Sequence, residues 1–514
     1  VEELSGLDAA FVYLETPNQH LHVSLVMVLD PAGMPGGYSF DGLKRHLAAR
    51  LHRVPLMRRR LAAAPWSLGR PVWVDTDTDI DAHMQATTCP APGDEAALAT
   101  VVGELAATPL DRSRPLWEVW VVEGLADNRI GLVIKVHHCA IDGVGGAEAL
   151  AHLFDLDAES SLAVPEPVEL RHEPRPAGWQ HLARAAAGRA RRTARLAPLA
   201  TRTTVAAVQA VQRRRRDEPR GALPLSGAVA PWNGSLSQQR SFSVTHLPLD
   251  EMKGVAASFD VTMNDVVLAV CAGSMRRFLL DRFELPEQPL VAMCPVSVSG
   301  SLPAERRSAN RVSVMFPSLA TDLDDPLERL RAIHESSLGA KAEQRLLGPS
   351  LVLDWAEHLT PVAATVAGNV YAGSGLSARH RPVQNALISN VPGPPIPLYF
   401  AGAEVLAAYP LGPAMEGCGL NITVFSYQGT VGFGFLACPE LLPESAELAA
   451  GIRTAFDELL ALVPAATPLS IRPEPERSEP PDRTDRPERP ERAAGPVTTT
   501  PRRTRSPNRH RVPA

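Results

Sequence analysis

Cysteine is scarce and scattered. The six residues, Cys89, Cys139, Cys271, Cys294, Cys418 and Cys438, lie far apart and form no C-x-x-C pair. A disulfide framework or a zinc site is therefore not expected, and a reducing compartment fits best. Lysine is nearly absent. Almost all the basic charge is arginine, which with the abundant Ala and Pro reads as a GC-rich genome rather than a functional choice. No uninterrupted apolar run reaches the ~18 residues of a transmembrane helix, so any membrane contact is expected to be peripheral. The opening Val1-Glu-Glu-Leu is acidic and lacks a basic stretch followed by an apolar one, so no signal peptide is expected. No internal repeat is evident. A net charge of −6 argues against wholesale nucleic-acid binding, local basic patches aside. What remains, 514 residues with 45% hydrophobic and 21% charged, is a globular protein too long for one ordinary core.

Composition shifts divide the chain. Residues 1–160 alternate apolar strand-like runs with helical segments, the texture of a mixed α and β domain. Residues 161–236 turn rich in Pro, Arg and Ala and read as a linker with helical stretches. Structured texture returns over 237–463. Residues 464–514 hold Pro, Arg, Glu and Thr with almost no large apolar side chain, and are expected to stay disordered. Within the linker, Val205, Val208 and Val211 recur at helical spacing, and Pro198 separates this stretch from an earlier one around Leu182 to Leu196. Arg184, Arg189, Arg191, Arg192, Arg195 and Arg213 to Arg216 decorate it. A solvated interdomain helix is the simpler reading. The alternative is a basic amphipathic helix lying on an anionic bilayer, each Arg contributing about 1 kcal/mol.

The most informative stretch is His137-His138-Cys139-Ala140-Ile141-Asp142-Gly143. It follows the β-rich run Ile130 to Val136, itself paired with a strand from Trp117 to Val122 through the turn residues Asp127 and Asn128. Beyond it, Gly145 and Gly146 lead into Ala147, Leu150, Ala151 and Phe154 at helical spacing. The motif thus sits on a strand-to-helix connection, where side chains project into a cleft. Imidazole has the intrinsic pKa of a general base at neutral pH. Successive strand residues point to opposite sides, so only one of the two histidines faces a given reactant. The pair with Asp142 also has metal-ligand chemistry, but the opposed directions and the missing third ligand weigh against it. A structural histidine at a strand end is the other alternative.

The H-H-x-x-x-D-G signature resembles that of coenzyme A-dependent acyltransferases of the chloramphenicol acetyltransferase-like superfamily and of peptide-synthetase condensation domains. Leu4-Ser-Gly-Leu-Asp8 with Phe11, Pro115-Leu116-Trp117, Asn264-Asp265-Val266 and Asn390-Val391-Pro392-Gly393-Pro394 resemble stretches of the bacterial wax ester synthase/diacylglycerol acyltransferase family. The resemblance runs from about residue 4 to 463. It implies an α/β fold of two chloramphenicol acetyltransferase-like subdomains with an active-site channel between them. It implies an O-acyltransferase that moves a long-chain acyl group from acyl-CoA to diacylglycerol or a long-chain alcohol. His138 is implied as the base, with no metal, prosthetic group or covalent acyl-enzyme; acyl-CoA is a co-substrate.

The remaining candidates carry paired readings. Asp142 and Gly143 shape the turn, and Arg311, in Ala309-Asn310-Arg311, resembles an arginine that pairs with the signature aspartate. Asp265 fits a capping pattern, Thr262-Met-Asn-Asp265, ahead of a helix from Val266 to Leu279. Asn264 either belongs to that helix start alone or steadies an oxyanion at the channel. Asn390 opens a rigid loop that the resemblance places near the channel. Trp117, His20 and His22 read as packing residues. A carrier-protein-dependent condensation enzyme and a non-catalytic lipid-surface protein are the rival functions. The expected partners are acyl-CoA, the lipid alcohol and an anionic membrane or lipid droplet, on the cytoplasmic side.

Overall fold

A computed structural model of the chain describes residues 2–63, 69–141, 152–159, 178–216, 218–282, 284–298, 310, 312–348 and 351–464. The tail expected to be disordered, Pro464 apart, lies outside these residues. The first half supplies strands β1 (Glu2–Glu3), β2 (His22–Asp30), β3 (Arg59–Ala62), β4 (Val72–Asp75), β5 (Met84–Thr88), β6 (Trp117–Glu123) and β7 (Ile130–His137). The second half supplies β8 (Ser241–Pro248), β9 (Ala292–Ser297), β10 (Val312–Met315), β11 (Ala386–Val391), β12 (Tyr399–Phe400), β13 (Ala403–Leu411), β14 (Leu420–Tyr427) and β15 (Thr430–Ala437). The described helices are α1 (Gly6–Leu14), α2 (Phe40–Arg50), α3 (Ile80–His83), α4 (Glu95–Ala106), α5 (Gly178–Arg214), α6 (Leu249–Ser258), α7 (Met263–Asp281), α8 (Pro326–Leu347), α9 (Leu351–Ala356), α10 (Pro361–Gly373) and α11 (Ser445–Leu460).

Two six-stranded sheets carry the architecture. One runs β12-β13-β2-β7-β6-β5 and the other β10-β9-β11-β14-β15-β8; β1, β4 and β3 make a small third sheet. The halves are not segregated, because β12 and β13 cross over to complete the first sheet, β13 pairing antiparallel with β2. Asp127 and Asn128 turn the chain between β6 and β7 with φ of 57° and 56°, a left-handed conformation that these two residue types tolerate best after glycine. Every residue of β7 is buried, as its near-continuous apolar sequence requires.

In the second half, α7 is apolar nearly all round, and its residues from Asp265 to Met275 are buried among β9, β11, β14, β15 and α11. The sheets meet through Val26, Val133, Tyr409 and Leu411 on one side and Phe242 and Leu436 on the other. Close approach is possible because β15 alternates Gly with Phe. Phe433 and Phe435 enter the second core, while Gly432 and Gly434 face β13. A Cβ on Gly434 would lie 1.9 Å from the Pro410 carbonyl oxygen.

The linker departs from expectation. Pro198 does not separate two stretches: α5 runs 37 residues straight through it. Proline removes one backbone hydrogen bond, and the Ala, Leu and Arg on both sides are strong enough helix formers to carry the helix past it. Among the described residues no single helix is long and apolar enough to cross a membrane. The bent pair α6–α7 passes that test together, but it is packed into the second core.

Candidate active site

The two histidines of the signature leave the end of β7 in different directions and acquire different partners. His137 is the last strand residue, its N–H donating to the Leu116 carbonyl (3.0 Å). Its side chain is buried. Nδ1 accepts from the Cys139 N–H (3.1 Å), which leaves Nε2 carrying the proton toward Glu15 Oε2 at 3.0 Å. Arg112 also pairs with Glu15. Burial alone would raise the Glu15 carboxyl, but the hydrogen bond from His137 and the nearby charges, Arg112 among them, outweigh it and hold the group down to about 2. Both ring nitrogens of His137 are thus committed to holding structure. Its strand neighbour Lys135 is buried too, donating to the carbonyls of Leu105 (3.1 Å) and Thr108 (2.7 Å) around the end of α4.

His138 begins the turn and is only half-buried. Its backbone is held at both ends: the N–H donates to Leu21 O (2.8 Å), and its carbonyl accepts from Asn310 Nδ2 (2.8 Å). The imidazole stacks on Phe11, with centroids 4.3 Å apart and planes inclined by 17°. Phe11 comes from α1, which begins where Ser5 caps the helix by accepting the Asp8 N–H. Asp8 and Phe11 are three residues apart and so share a helix face. Asp8 Oδ2 accepts from Ser5 Oγ (2.6 Å) and Oδ1 from Asn310 Nδ2 (2.7 Å). One amide, from the second half of the chain, therefore bridges α1 and the backbone of His138.

Cys139 is buried among Leu4, Val12, Tyr13 and Leu116. Burial pushes its thiol well above the ordinary range, so it is protonated at neutral pH and a poor nucleophile. Asp142, Gly143 and Arg311 lie outside the described residues, as does the stretch from Gly145 to Ala151. Among the described residues no group of three or more His, Cys, Asp or Glu is placed to hold a metal ion.

Asn264, Asp265 and Asn390 belong to the half built on the second sheet. The capping pattern is present: Asp265 Oδ2 accepts the Thr262 N–H (2.9 Å), and Thr262 Oγ1 accepts the Asp265 N–H (3.3 Å). His334 Nδ1 lies 2.7 Å from the same carboxylate oxygen. Burial opposes ionisation of Asp265, but these hydrogen bonds lower its pKa on balance. The adjacent Asn264 has a buried Nδ2 with no hydrogen-bond partner among the described residues. Asn390 is exposed near the end of β11, opposite Val424. The loop that follows lies flat on β14: Gly393 donates to Ser426 Oγ (3.1 Å), and a Cβ there would sit 2.1 Å from the Ser426 carbonyl. Trp117, His20 and His22 are buried.

Four residues of this site escaped sequence reasoning in their actual roles. Asp8 and Phe11 stood in a noticed motif, but nothing local pointed them at His138. Asn310 adjoined the arginine expected to matter. Glu15 gave no signal beyond an acidic residue at a helix end.

The two interlocked sheets with a histidine at the end of β7 define a fold shared with condensation domains. The first condensation domain of the calcium-dependent antibiotic synthetase superimposes with a TM-score of 0.54 at 16% identity, over 90% of this chain and 98% of that one. A wax ester synthase/diacylglycerol acyltransferase from Marinobacter aquaeolei VT8 matches better, with a TM-score of 0.63 at 27% identity over 89% of this chain and 98% of the other. The sequence carries the wax ester synthase/diacylglycerol acyltransferase catalytic domain over residues 4–267 and the WS/DGAT C-terminal domain over residues 308–460. A Mycobacterium tuberculosis protein named as a candidate diacylglycerol O-acyltransferase is 39% identical over 471 residues, 90% of each chain. The chain belongs to the wax ester synthase/diacylglycerol acyltransferase family, and it is an acyltransferase.

Proposed function

We propose that this protein transfers a long-chain acyl group from acyl-CoA to the hydroxyl of diacylglycerol or a long-chain alcohol, with His138 as general base. The observation that carries this is the division of labour in the signature. His137 has both ring nitrogens engaged in holding structure, whereas the imidazole of His138, a partly buried residue, stacks on Phe11 above a backbone pinned at N–H and C=O. A base held in this way spends little entropy in reaching its reactant. Its neutral imidazole takes the hydroxyl proton as the oxygen attacks the thioester carbonyl. The tetrahedral intermediate then expels the CoA thiolate, which recovers the proton from the imidazolium. The buried Nδ2 of Asn264 is a donor without an acceptor among the described residues, as an oxyanion-stabilising group would be before substrate arrives. The protonated, buried Cys139 favours direct attack over an acyl-enzyme.

The test is to incubate purified protein with palmitoyl-CoA and either hexadecanol or dioleoylglycerol, following free CoA and ester. Ester should form, and His138→Ala should lower turnover by about 10²–10⁴ without preventing acyl-CoA binding. An active His138→Ala enzyme would refute the base assignment. Turnover only with a carrier-protein thioester would favour the condensation-type rival.

A further inference from the structure

Helix α1 belongs by sequence to the first half, yet residues of the second half hold it at both ends. At its start, the Gly6 N–H donates to Glu357 Oε1 (2.8 Å). Glu357 lies between α9 and α10, and its other carboxylate oxygen accepts from Arg70 Nη1 (2.8 Å). Arg70 is buried; its Nη2 donates to the Glu357 carbonyl, and its Nη1 also reaches the Leu4 carbonyl (3.4 Å). One guanidinium thus ties the chain just before α1 to Glu357. The approach is close, since a Cβ on Gly6 would lie 2.4 Å from the Glu357 backbone nitrogen. Burial alone would raise the Glu357 carboxyl, but Arg70 and the Gly6 N–H lower it on balance. The resulting carboxylate also meets the positive end of the helix dipole. At the other end, the Leu14 carbonyl accepts from Gln19 Nε2 (2.9 Å), and Gln19 Oε1 accepts the Glu416 N–H (2.6 Å). Glu416 is in turn held by Ser377 Oγ (2.7 Å). Between the two ends, Ala364 of α10 packs with Val12 and Tyr13.

What α1 carries between these anchors is the face that meets the signature. Asp8, Phe11 and Glu15 follow one another at steps of three and four, so they line one side of the helix and its cap. Phe11 stacks on His138, and Glu15 lies against His137. Phe11 is five residues from Gly6, about 7.5 Å along the axis, so a shift at the start of the helix reaches the stack with little room to dissipate. We propose that Glu357, with Arg70, is a positioning residue for the reaction: it fixes the start of α1 and thereby holds Phe11 against the imidazole of His138. It acts through Phe11 and not on the reacting atoms. The inference rests on the proposed function in so far as His138 is the base.

The experiment uses the full chain with palmitoyl-CoA and hexadecanol. Glu357→Ala removes both the acceptor for Gly6 and the partner of Arg70, and should lower kcat about tenfold with KM for palmitoyl-CoA within about twofold. Glu357→Gln keeps an oxygen for Gly6 and should lose only about threefold. Arg214→Ala breaks a pair of similar length, to Glu343 (2.7 Å), and should leave kcat unchanged whatever it does to the melting temperature. In a Phe11→Leu background, Glu357→Ala should cost less than about twofold, because the stack through which it acts is already gone. A spectroscopic reading is independent of turnover. With isotope-labelled histidine, the Cε1 proton of His138, assigned by its loss in His138→Ala, should move in Glu357→Ala toward its position in Phe11→Leu. If Glu357→Ala does not fold, Glu357→Gln carries the same kinetic and spectroscopic comparisons. Wild-type kcat in the Glu357 variants, a loss equal with and without Phe11, or an unmoved His138 signal would each overturn the inference. If the signal moves as expected while the wild type forms no ester, the positioning stands and the proposed function falls.

Discussion

Replacing Asn310 with Ala probes the assembly around His138 most directly. The Asn310 Nδ2 lies 2.7 Å from Asp8 Oδ1 and 2.8 Å from the His138 carbonyl, and the residue is 5% exposed. Truncation leaves two buried acceptors short of a donor with little water to replace it. A hydrogen bond to a charged group is worth about 1.5–3 kcal/mol and one to a neutral carbonyl about 0.5–1.5 kcal/mol. The two share a donor and do not add fully, so a stability loss of about 2–3 kcal/mol is expected. Burial already raises Asp8, and losing a donor that favours its ionised form raises it further. The effect on chemistry follows from position. With the carbonyl released, the imidazole keeps its Phe11 stack and the bond from its N–H to Leu21 but loses the other of the two bonds that fix its backbone, and a displacement of about 1 Å costs on the order of 10²-fold. Urea unfolding measures the first effect and steady-state kinetics the second. The expected result is kcat down about 10–100-fold with KM for acyl-CoA within about threefold, because the change concerns the base rather than donor binding. Asn310→Asp, which sets a second carboxylate against Asp8, should be worse than Ala at neutral pH. Wild-type stability and kcat in Asn310→Ala would refute the argument, and a KM effect alone would move Asn310 to the donor site.

Other expectations are independent of that one. His137→Ala should reduce stability more than it reduces the pH dependence of turnover, because its ring serves Glu15 and the Cys139 N–H; a lost pH profile would assign it proton transfer. Cys139→Ser should retain substantial activity, with no acyl group on the wild-type protein by mass spectrometry after exposure to acyl-CoA alone. Burial is the main cause that lowers the pKa of His20, His22 and His83 below 6.5. Below that pH the unfolded chain binds protons that the folded one refuses, so stability falls as pH drops from 7 toward 5. Each histidine contributes a slope approaching about 1.4 kcal/mol per pH unit, and urea unfolding at both pH values should reveal it; equal stabilities would count against the burial argument. Gly434→Val should prevent the sheets from closing and abolish soluble expression, whereas Gly373→Ala, which meets nothing within 4 Å, should be neutral or slightly stabilising.

Several features were legible locally because their causes are local. The β6–β7 hairpin follows from two apolar runs joined by Asp127 and Asn128, both with positive φ. The α7 capping box follows from Thr262 and Asp265, three residues apart. The doubled histidine at a strand end pointed to opposed side chains, and the structure gives the two rings different partners. Even so, local reasoning overestimated Pro198, whose cost the flanking helix formers absorb.

Other features came only from tertiary packing. The bond from Asn310 to His138 spans 172 positions and that to Asp8 spans 302, and no spacing pattern encodes either. The transfer of β12 and β13 to the first sheet depends on β2 having an open edge and on glycines in β15 thin enough to let the sheets meet. Hydrophobic periodicity says which face of an element is buried, not against what. The choice of partner is made by shape and by the requirement that every buried donor and acceptor be satisfied at once. The sequence by itself thus determined the elements, the signature and its imidazole; only the tertiary structure decided that Phe11, Asp8 and Asn310 hold His138 in place, because the Phe11 stack needs α1 folded against the end of β7 and the Asn310 bonds exist only once both halves have closed.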